Sequence, residues 1–436
     1  MLIGYTLFDP LIVACGTILA AFLLVRNPLR LLYFLPMMLS LWFFIPLITN
    51  LTLWQTVPLL LIAYYTLKSP KLPGSAFLLV SAVMASVVLS AAYAFVNTGD
   101  PVRIAIRLFY YLSSLAVFFF CYEMGRRPHA NVFLLRGCIF LGIVFSFYGF
   151  YQIVAYYTGL PVRGIVYNAG GGSIIADEGG FPRINSLANE PKRLGYVLFI
   201  ASMAAIFFKR SFDSSWKYTW RAGYIFFASL LTFSGSYFLA FFLFITAYLV
   251  IYPSRASKYL IAITPIGLFL INNMIDMPIF EVIETGFLRR LQEFEVGLDG
   301  AVVYRQEFYV LDYFYNNPSS IFTGVGLGQY YYIMHDVYGA GAGIHENGSL
   351  MAANSNFLEL ILDMGLIGTA LFYLGLAILV FRLRRARETF LCLGLLFLAI
   401  QSFMLVTLSF IAVFAGVALG RLAYLKQRKL ENARRA

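Results

Sequence analysis

Long apolar runs separated by short charged breaks constrain this chain more than any other feature. Thirteen such runs lie along the 436 residues, and several approach the roughly 20 residues that an α-helix needs to cross a bilayer. Apolar residues make up 61% of the chain and charged residues only 12%, against about 25% charged in an ordinary soluble domain. This leaves too few polar residues to cover a water-soluble surface. The sequence therefore excludes soluble enzymes, nucleic-acid-binding proteins and disordered scaffolds, and it predicts an all-α polytopic integral membrane protein.

The apolar runs define the predicted membrane-spanning helices. The stretches 31–67, 222–252 and 389–424 can each be divided in more than one way, so we expect about 11–13 transmembrane helices. The candidate spans lie at 9–25, 31–49, 52–67, 75–97, 104–124, 133–157, 194–208, 222–234, 237–252, 259–273, 354–381, 389–405 and 406–424.

The basic residues fall into alternate loops. Of the 32 Lys and Arg residues, 23 lie in the breaks that would share one side of the membrane, together with only four acids. Cytoplasmic loops collect Lys and Arg, so this side is predicted to be the cytoplasm. The opposite, periplasmic side holds the only two long loops, 158–193 and 274–353. Connections of that length are seldom mere linkers, so we expect the function to reside there.

This pattern divides the chain into six consecutive regions. They are N-terminal transmembrane helices (1–157), a first periplasmic loop (158–193), central transmembrane helices (194–273), a large periplasmic loop carrying the candidate active site (274–353), C-terminal transmembrane helices (354–424) and a basic cytoplasmic tail (425–436).

The two predicted periplasmic loops contain arginines, although Lys and Arg otherwise collect on the predicted cytoplasmic side. Their presence therefore suggests a function. Arg183 lies in the first loop, and Arg289, Arg290 and Arg305 lie in the second. A guanidinium stays charged and binds phosphate oxygens with two parallel hydrogen bonds, which suits the diphosphate of a lipid-linked substrate. The alternative for each arginine singly is an ion pair with a loop acid or a lipid headgroup.

Three residues are candidates for a proton-transfer role. His335 and His345 lie in the large loop, and an imidazole titrates near neutral pH, so either could deprotonate a hydroxyl. Glu190 precedes a predicted span and is a further candidate base. The alternatives are solvated loop histidines and a charge-paired boundary carboxylate. The outer loops contain no DxD motif, so we expect no metal and no other cofactor.

Two patterns in and after the large loop are recognisable as motifs. The first is Arg305 followed by GVGLGQY (324–330). The second is Asn354-Ser355, nine residues, Gly365, two residues and Gly368, at the start of the next span. A third element, Arg183 followed by SLANEP (186–191), runs into the span after the first loop.

With these elements the sequence resembles the O-antigen ligase/polymerase superfamily. The motifs that carry the resemblance lie within residues 180–370, and the rest of the chain is similar only in composition. The resemblance implies a GT-C-like helical fold. Two positions depart from the ligase pattern: Asn354 replaces its histidine, and Tyr237 replaces the arginine often found in an SGSR element. Asparagine cannot act as a general base, which favours a polymerase and makes His345 the first candidate base and Glu190 the second. Tyr237 and its neighbours SGSYF also fit a tight turn between two helices.

The resemblance implies a particular reaction and location. A Wzy-type polymerase in the bacterial inner membrane joins undecaprenyl-diphosphate-linked oligosaccharide repeat units at the periplasmic face, by inverting, metal-independent transfer. Arg305, His345 and Glu190 would be the catalytic residues, and Arg183, Arg289, Arg290, His335, Asn354 and Tyr237 would bind the diphosphate or sugar. A chain-length regulator and a flippase of the same pathway would be partners.

Three other functions remain open at this stage. A non-catalytic scaffold or sensor would tolerate replacement of the arginines in the outer loops. A WaaL-type ligase would use the same diphosphate site but would move the glycan onto lipid A core. A lipid-linked oligosaccharide transporter would instead place charged residues in mid-span around a central cavity. Arg107 is the clearest charge inside a predicted span, and it lies only about a turn from the outer face.

Overall fold

The described part of the molecule is helical apart from two short strand pairs. The computed structural model describes residues 8–41, 43–46, 50–68, 74–98, 101–161, 177–178, 181–182, 184–188, 191–212, 215–232, 234–251, 306–330 and 355–435. The helices are α1 (Phe8–Arg26), α2 (Pro28–Ser40), α3 (Leu53–Leu67), α4 (Gly74–Thr98), α5 (Pro101–Gly125), α6 (Ala130–Thr158), α7 (Pro191–Ser211), α8 (Lys217–Leu230), α9 (Gly235–Ile251), α10 (Gln306–Asn316), α11 (Ser319–Thr323), α12 (Asn356–Arg385), α13 (Thr389–Gln401) and α14 (Leu408–Arg435). Antiparallel strands β1 (Phe44–Pro46) and β2 (Asn50–Thr52) form one pair, and β3 (Asp177–Glu178) and β4 (Phe181–Pro182) form the other.

Seven of the described helices are long and apolar enough to cross a membrane: α1, α4, α5, α6, α7, α12 and α14. Four shorter apolar helices, α2, α3, α9 and α13, accompany them. These helices support the predicted α-helical, multi-pass membrane protein. The candidate span 259–273 and most of the two long loops lie outside the described residues.

The predicted span at 31–49 is only partly helical. Helix α2 ends at Ser40, and the chain then enters β1, whose Phe44 pairs with Thr52 of β2. Aromatic and β-branched residues favour a strand here, and Pro46 lacks the N–H that a helix would need. A single helix over 31–49 was therefore a wrong prediction in its second half.

The last helix continues far beyond the predicted membrane span. Helix α14 runs to Arg435 through the basic segment that follows residue 424. This segment contains neither glycine nor proline and is rich in helix-forming Lys, Arg, Gln and Glu. A hydrogen bond from Gln427 Nε2 to Glu431 Oε1, 2.9 Å long, links two successive turns. The predicted tail is thus a helical extension of the final span.

Helices α5 and α14 pack with their backbones close together. Gly416 and Gly420, four residues apart on α14, lie against the backbones of Phe118 and Tyr122 on α5. Gly125 of α5 lies in turn against Val417. Small residues at this spacing let membrane helices approach closely, where dispersion contacts supply the attraction that lipid does not. This pair forms the frame on which Arg107 of α5 is held.

One piece of the first predicted loop is buried inside the helix bundle. Ser186, whose φ is +52°, donates from its hydroxyl to the Phe145 carbonyl at 2.6 Å, and its N–H donates to Gln152 Oε1 at 2.7 Å. The Gln152 amide also donates to Asn185 Oδ1 at 2.8 Å. Non-helical backbone survives among membrane helices only when protein satisfies its polar groups, as it does here. Helix α7 begins three residues after this segment ends at Ala188.

Candidate functional site

The start of α12 is tied to the turn between α13 and α14. Ser355 caps the helix: its Oγ accepts from the Leu358 N–H at 3.3 Å and donates to the Phe403 carbonyl at 2.7 Å. The next residue, Asn356, accepts from the Val406 N–H through its Oδ1 at 2.5 Å. The Asn/Ser position of the second sequence motif is therefore a helix cap that fixes where α12 enters the bundle.

Ten residues further on, α12 is broken at the motif glycine. Gly365 has φ +70° and ψ 176°, which is not helical. The break frees the Leu362 carbonyl, which accepts from the N–H groups of Val325 and Gly326 at 2.8 and 3.3 Å. The GVGLGQY segment thus supplies donors that the helix itself would otherwise provide. The two motifs recognised in the sequence are hydrogen-bonded to each other.

Three alternate glycines let the GVGLGQY segment lie flat against three helices. Gly324, Gly326 and Gly328 have φ values of +76°, +113° and +74°. A Cβ on them would meet α12 at the Gly365 nitrogen, α4 at Ala94 and α5 at the Arg103 carbonyl, respectively, each within 3.2 Å. Part of the predicted large loop is therefore a packed component of the bundle that joins α4, α5 and α12.

We expect Gly365→Ala to lower stability by at least about 2 kcal/mol. The conformation of Gly365 is almost closed to other residues and costs about 1–3 kcal/mol when they adopt it, and a Cβ would also overlap the Phe322 carbonyl. Thermal unfolding of the purified protein in detergent measures the loss. Gly223→Ala on α8 is the matched control, because a Cβ there meets nothing within 4 Å. Equal melting temperatures for the two variants would contradict the prediction.

A buried charge cluster lies directly beneath the glycine segment. Arg107 of α5 donates through Nε to Asp363 Oδ2 at 2.6 Å and through Nη2 to Glu359 Oε2 at 3.0 Å. Asp363 also accepts from the Tyr111 hydroxyl at 2.7 Å and from the Gly328 N–H at 3.1 Å. The side chains of Arg107, Glu359 and Asp363 are 20%, 12% and 5% exposed. Charged side chains buried between membrane helices are costly and are typical of functional sites.

A second arginine reaches the same cluster from α7. Arg193, in the first turn of α7, interacts electrostatically with Glu359 and with Tyr110. The Tyr110 ring lies under the Arg107 guanidinium at 5.2 Å, and its hydroxyl accepts from the Leu408 N–H at 3.3 Å. The N-terminal parts of α5, α7 and α12 therefore meet here, and each helix start adds a partial positive charge.

An apolar groove of about 500 Å³ lies on the face of α12 that points away from Glu359 and Asp363. Its walls come from α10 with the turn after it and from the first two turns of α12. They are formed by Leu311, Phe314, Tyr315, Pro318, Ile321, Phe357, Leu358 and Ile361. Leu358 and Ile361 belong to the same turns as Glu359 but point to another side of the helix. The groove suits the apolar part of a ligand.

Of the nine residues predicted for the site, Tyr237 alone lies among the described ones. It is fully buried, its hydroxyl pairs with Ser229 Oγ at 2.9 Å, and its ring packs on Gly195 near the start of α7. Ser234 lies in the short connection between α8 and α9, and the rest of SGSYF, including Tyr237, begins α9. Contact between Tyr237 and substrate stays a prediction.

The other eight predicted residues lie outside the described residues, so their roles stay predictions. They are Arg183, Glu190, Arg289, Arg290, Arg305, His335, His345 and Asn354. Three of them are sequence neighbours of described elements: Glu190 precedes α7, Arg305 precedes α10, and Asn354 precedes the cap of α12. Within the described ranges, no group of three or more His, Cys, Asp or Glu residues is arranged to hold a metal ion.

The sequence analysis missed Glu359 and Asp363. Both acids lie in the apolar run NSNFLELILDMGLIG, which follows the large loop, and the motif spacing did not single them out. Their spacing of four residues places them on one face of a helix, and acids within an apolar run are functional candidates by default. That signal, together with Arg107 in another span, was sufficient to suggest the cluster.

No protein-family model matches the chain. No curated protein matches it significantly either. The resemblance to the O-antigen ligase/polymerase superfamily therefore depends on the sequence motifs alone.

Proposed function

We propose that this protein is a polysaccharide polymerase that joins undecaprenyl-diphosphate-linked oligosaccharide repeat units at the periplasmic face of a bacterial inner membrane. The observation that supports this most directly is the hydrogen-bonded junction of the two sequence motifs, where Leu362 accepts from the GVGLGQY segment and Asp363 accepts from both Gly328 and Arg107. The apolar groove on the other face of α12 suits the long tail of a polyprenyl diphosphate. Arg107 and Arg193 provide cationic groups near the junction, and the two carboxylates of Glu359 and Asp363 balance them, so the anionic head requires the loop arginines as well.

In the proposed reaction one glycosidic bond replaces a sugar–phosphate bond. The hydroxyl at the non-reducing end of one repeat unit attacks C1 of the sugar that joins the growing chain to its lipid diphosphate. The C1–O bond to the diphosphate breaks, and the configuration at C1 inverts. A base, His345 first and Glu190 second, takes the hydroxyl proton. Arg305, with Arg183, Arg289 and Arg290, stabilises the negative charge that develops on the departing diphosphate, which is the largest electrostatic demand of the transition state.

A ligase is the nearest alternative within this class. It would use the same donor and the same diphosphate contacts, and it would differ only in its acceptor, lipid A core. Asn354, at the position of the ligase histidine, favours the polymerase because an amide does not accept a proton at neutral pH.

A transporter of lipid-linked oligosaccharide is a second candidate, favoured by one observation of a different kind. Helix α12 is interrupted at Gly365 beside three charged side chains, and discontinuous helices next to buried charges are found at transporter binding sites. Here, however, the break is filled by the GVGLGQY segment. The Arg107 charges are also satisfied within the described residues, which favours a fixed scaffold.

The test is to determine the size of the products that purified protein makes in nanodiscs. We would supply undecaprenyl-diphosphate repeat units alone, with a chelator present, and measure product masses. Masses that rise by whole repeat units support the polymerase. Transfer only after lipid A core is added identifies a ligase. Absence of product in both, with movement of the lipid-linked unit between leaflets of a liposome, identifies a transporter.

A further inference from the structure

A pocket of about 440 Å³ lies at the opposite end of the bundle from the Arg107 cluster. It is enclosed by the turn before α6, the end of α7, the turn between α12 and α13, and the α14 extension. Four exposed basic side chains form its rim: His129, Arg210, Arg387 and Arg428. This is the face where the Lys- and Arg-rich breaks of the sequence meet. Nothing in the proposed reaction uses it.

The charge in this pocket is only partly neutralised. Glu388 is its acidic member, and both carboxylate oxygens are occupied: Oε1 accepts from Arg421 Nε and Oε2 from Asn131 Nδ2, each at 2.8 Å. Within the described residues, Arg210, Arg387 and Arg428 have no carboxylate partner. The pocket therefore keeps an excess of guanidinium groups that can bind an anion.

Two backbone features and one buried atom are also consistent with a ligand site. His129 and Arg387, on opposite turns of the rim, have φ values of +69° and +60°, and non-glycine residues in this conformation cluster at ligand sites. The third described non-glycine residue with positive φ is Ser186, inside the bundle. In the pocket, Asn131 Oδ1 is buried and accepts no hydrogen bond from the described residues. A ligand that carries hydroxyl donors as well as negative charge would satisfy it.

The walls and the setting of the pocket indicate a lipid. Below the basic rim, the pocket is lined by the apolar side chains of Val132, Leu135, Phe207 and Phe390. Phe212 lies at its edge and is 53% exposed. Shortly beyond it, Trp216 and Trp220 are 64% and 66% exposed, and exposed tryptophans of membrane proteins lie at the level of the lipid headgroups.

We propose that this pocket binds the phosphate headgroup of an anionic phospholipid from the cytoplasmic leaflet, such as phosphatidylglycerol. The arginines pair with the phosphate, the headgroup hydroxyls donate to Asn131, and the acyl chains contact the apolar walls. Basic pockets between membrane helices on the cytoplasmic side bind anionic headgroups in this way. The site is independent of the proposed reaction, which would take place at the other end of the bundle.

Native mass spectrometry of the full-length protein in detergent tests the proposal. Phosphatidylglycerol and phosphatidylcholine would be titrated separately, and we expect phosphatidylglycerol to be retained preferentially. The double variant Arg210→Gln/Arg428→Gln should bind phosphatidylglycerol about 30-fold more weakly, given about 1 kcal/mol per basic residue near the surface. The matched control is Arg385→Gln/Arg434→Gln, which removes two exposed charges from the same face outside the pocket. We expect that control to keep near wild-type retention.

Three results would overturn the assignment. Equal retention of the two lipids by the wild-type protein would show that the headgroup is not recognised. Equal weakening by both double variants would show a general surface-charge effect. Displacement of phosphatidylglycerol by submillimolar inorganic phosphate or ATP would identify a soluble phosphate as the ligand. The wild-type lipid comparison decides the matter even if a variant folds poorly.

Discussion

Replacing Arg107 with methionine is expected to destabilise the protein by about 3–5 kcal/mol, the usual cost of removing one partner from a buried ion pair. Arg107 is paired with both Glu359 and Asp363, whose side chains are 12% and 5% exposed. Without the guanidinium, two carboxylates four residues apart on α12 would be left in an apolar setting and would repel each other. Thermal or denaturant-induced unfolding in detergent measures the loss.

The control for this variant removes all three charges together. Arg107→Met combined with Glu359→Gln and Asp363→Asn removes both carboxylates together with the arginine that pairs with them, and such replacements are often close to neutral in stability. Arg385→Met, an exposed arginine near the other end of α12, should change stability by less than about 0.5 kcal/mol. If Arg107→Met is as stable as the wild-type protein, the three side chains do not form a buried ionic network.

The triple variant also separates structure from function. If the cluster serves only to hold α5 against α12, restoring stability should restore chain growth. The proposed function instead places the Arg107 guanidinium near the substrate at the junction of the two motifs, so we expect the triple variant to fold and to remain poorly active. Full activity in a stable triple variant would remove Arg107 from the substrate site while leaving the rest of the proposal open.

Much of the helical framework could be predicted from hydropathy alone. The run 75–97 corresponds to α4 (Gly74–Thr98), and the run 104–124 corresponds to α5 (Pro101–Gly125). In a bilayer every backbone polar group needs a hydrogen-bond partner within the protein. A long apolar run meets this requirement by forming a helix, in which the partners belong to the same segment. Element type is therefore a local property of such sequences.

The buried non-helical segments could not be predicted in the same way. Glycines at 324, 326 and 328 are typical of a flexible loop, yet each lies against a helix backbone. Likewise, Ser186 is polar and follows a long loop, but its partners Phe145 and Gln152 are 41 and 34 residues away. The placement of both segments depends on contacts with residues that are distant in the sequence. The sequence of each segment alone does not indicate which residues these are.

The site shows the same division between local and long-range information. The spacing from Ser355 to Gly365 can be recognised in the sequence. Its physical meaning is seen only in the structure: Ser355 caps a helix that is broken ten residues later, at Gly365. The contact between Gly365 and the GVGLGQY segment joins regions 40 residues apart. The pairing of Arg107 with α12 spans more than 250 residues. Sequence spacing identifies the pieces, and tertiary packing decides which of them meet.

Arg305→Ala is expected to reduce chain growth at least about 100-fold, because loss of one group that stabilises transition-state charge costs about 10²–10³ in rate. The variant should still insert in the membrane and melt near the wild-type temperature. The mass ladder from undecaprenyl-diphosphate repeat units measures the effect. Arg305 precedes α10, whose residues Val310 and Phe314 pack on Ile361 and Leu362 of α12.

Two further variants make the Arg305 experiment specific. Arg305→Lys keeps the charge but not the planar pair of donors, so we expect intermediate activity if two phosphate oxygens are bound at once. Arg163→Ala removes another arginine of the first predicted outer loop and should leave the ladder unchanged. A wild-type ladder from Arg305→Ala would contradict a diphosphate role for this residue. Equal loss from Arg163→Ala would mean that total loop charge, rather than one arginine, governs the reaction.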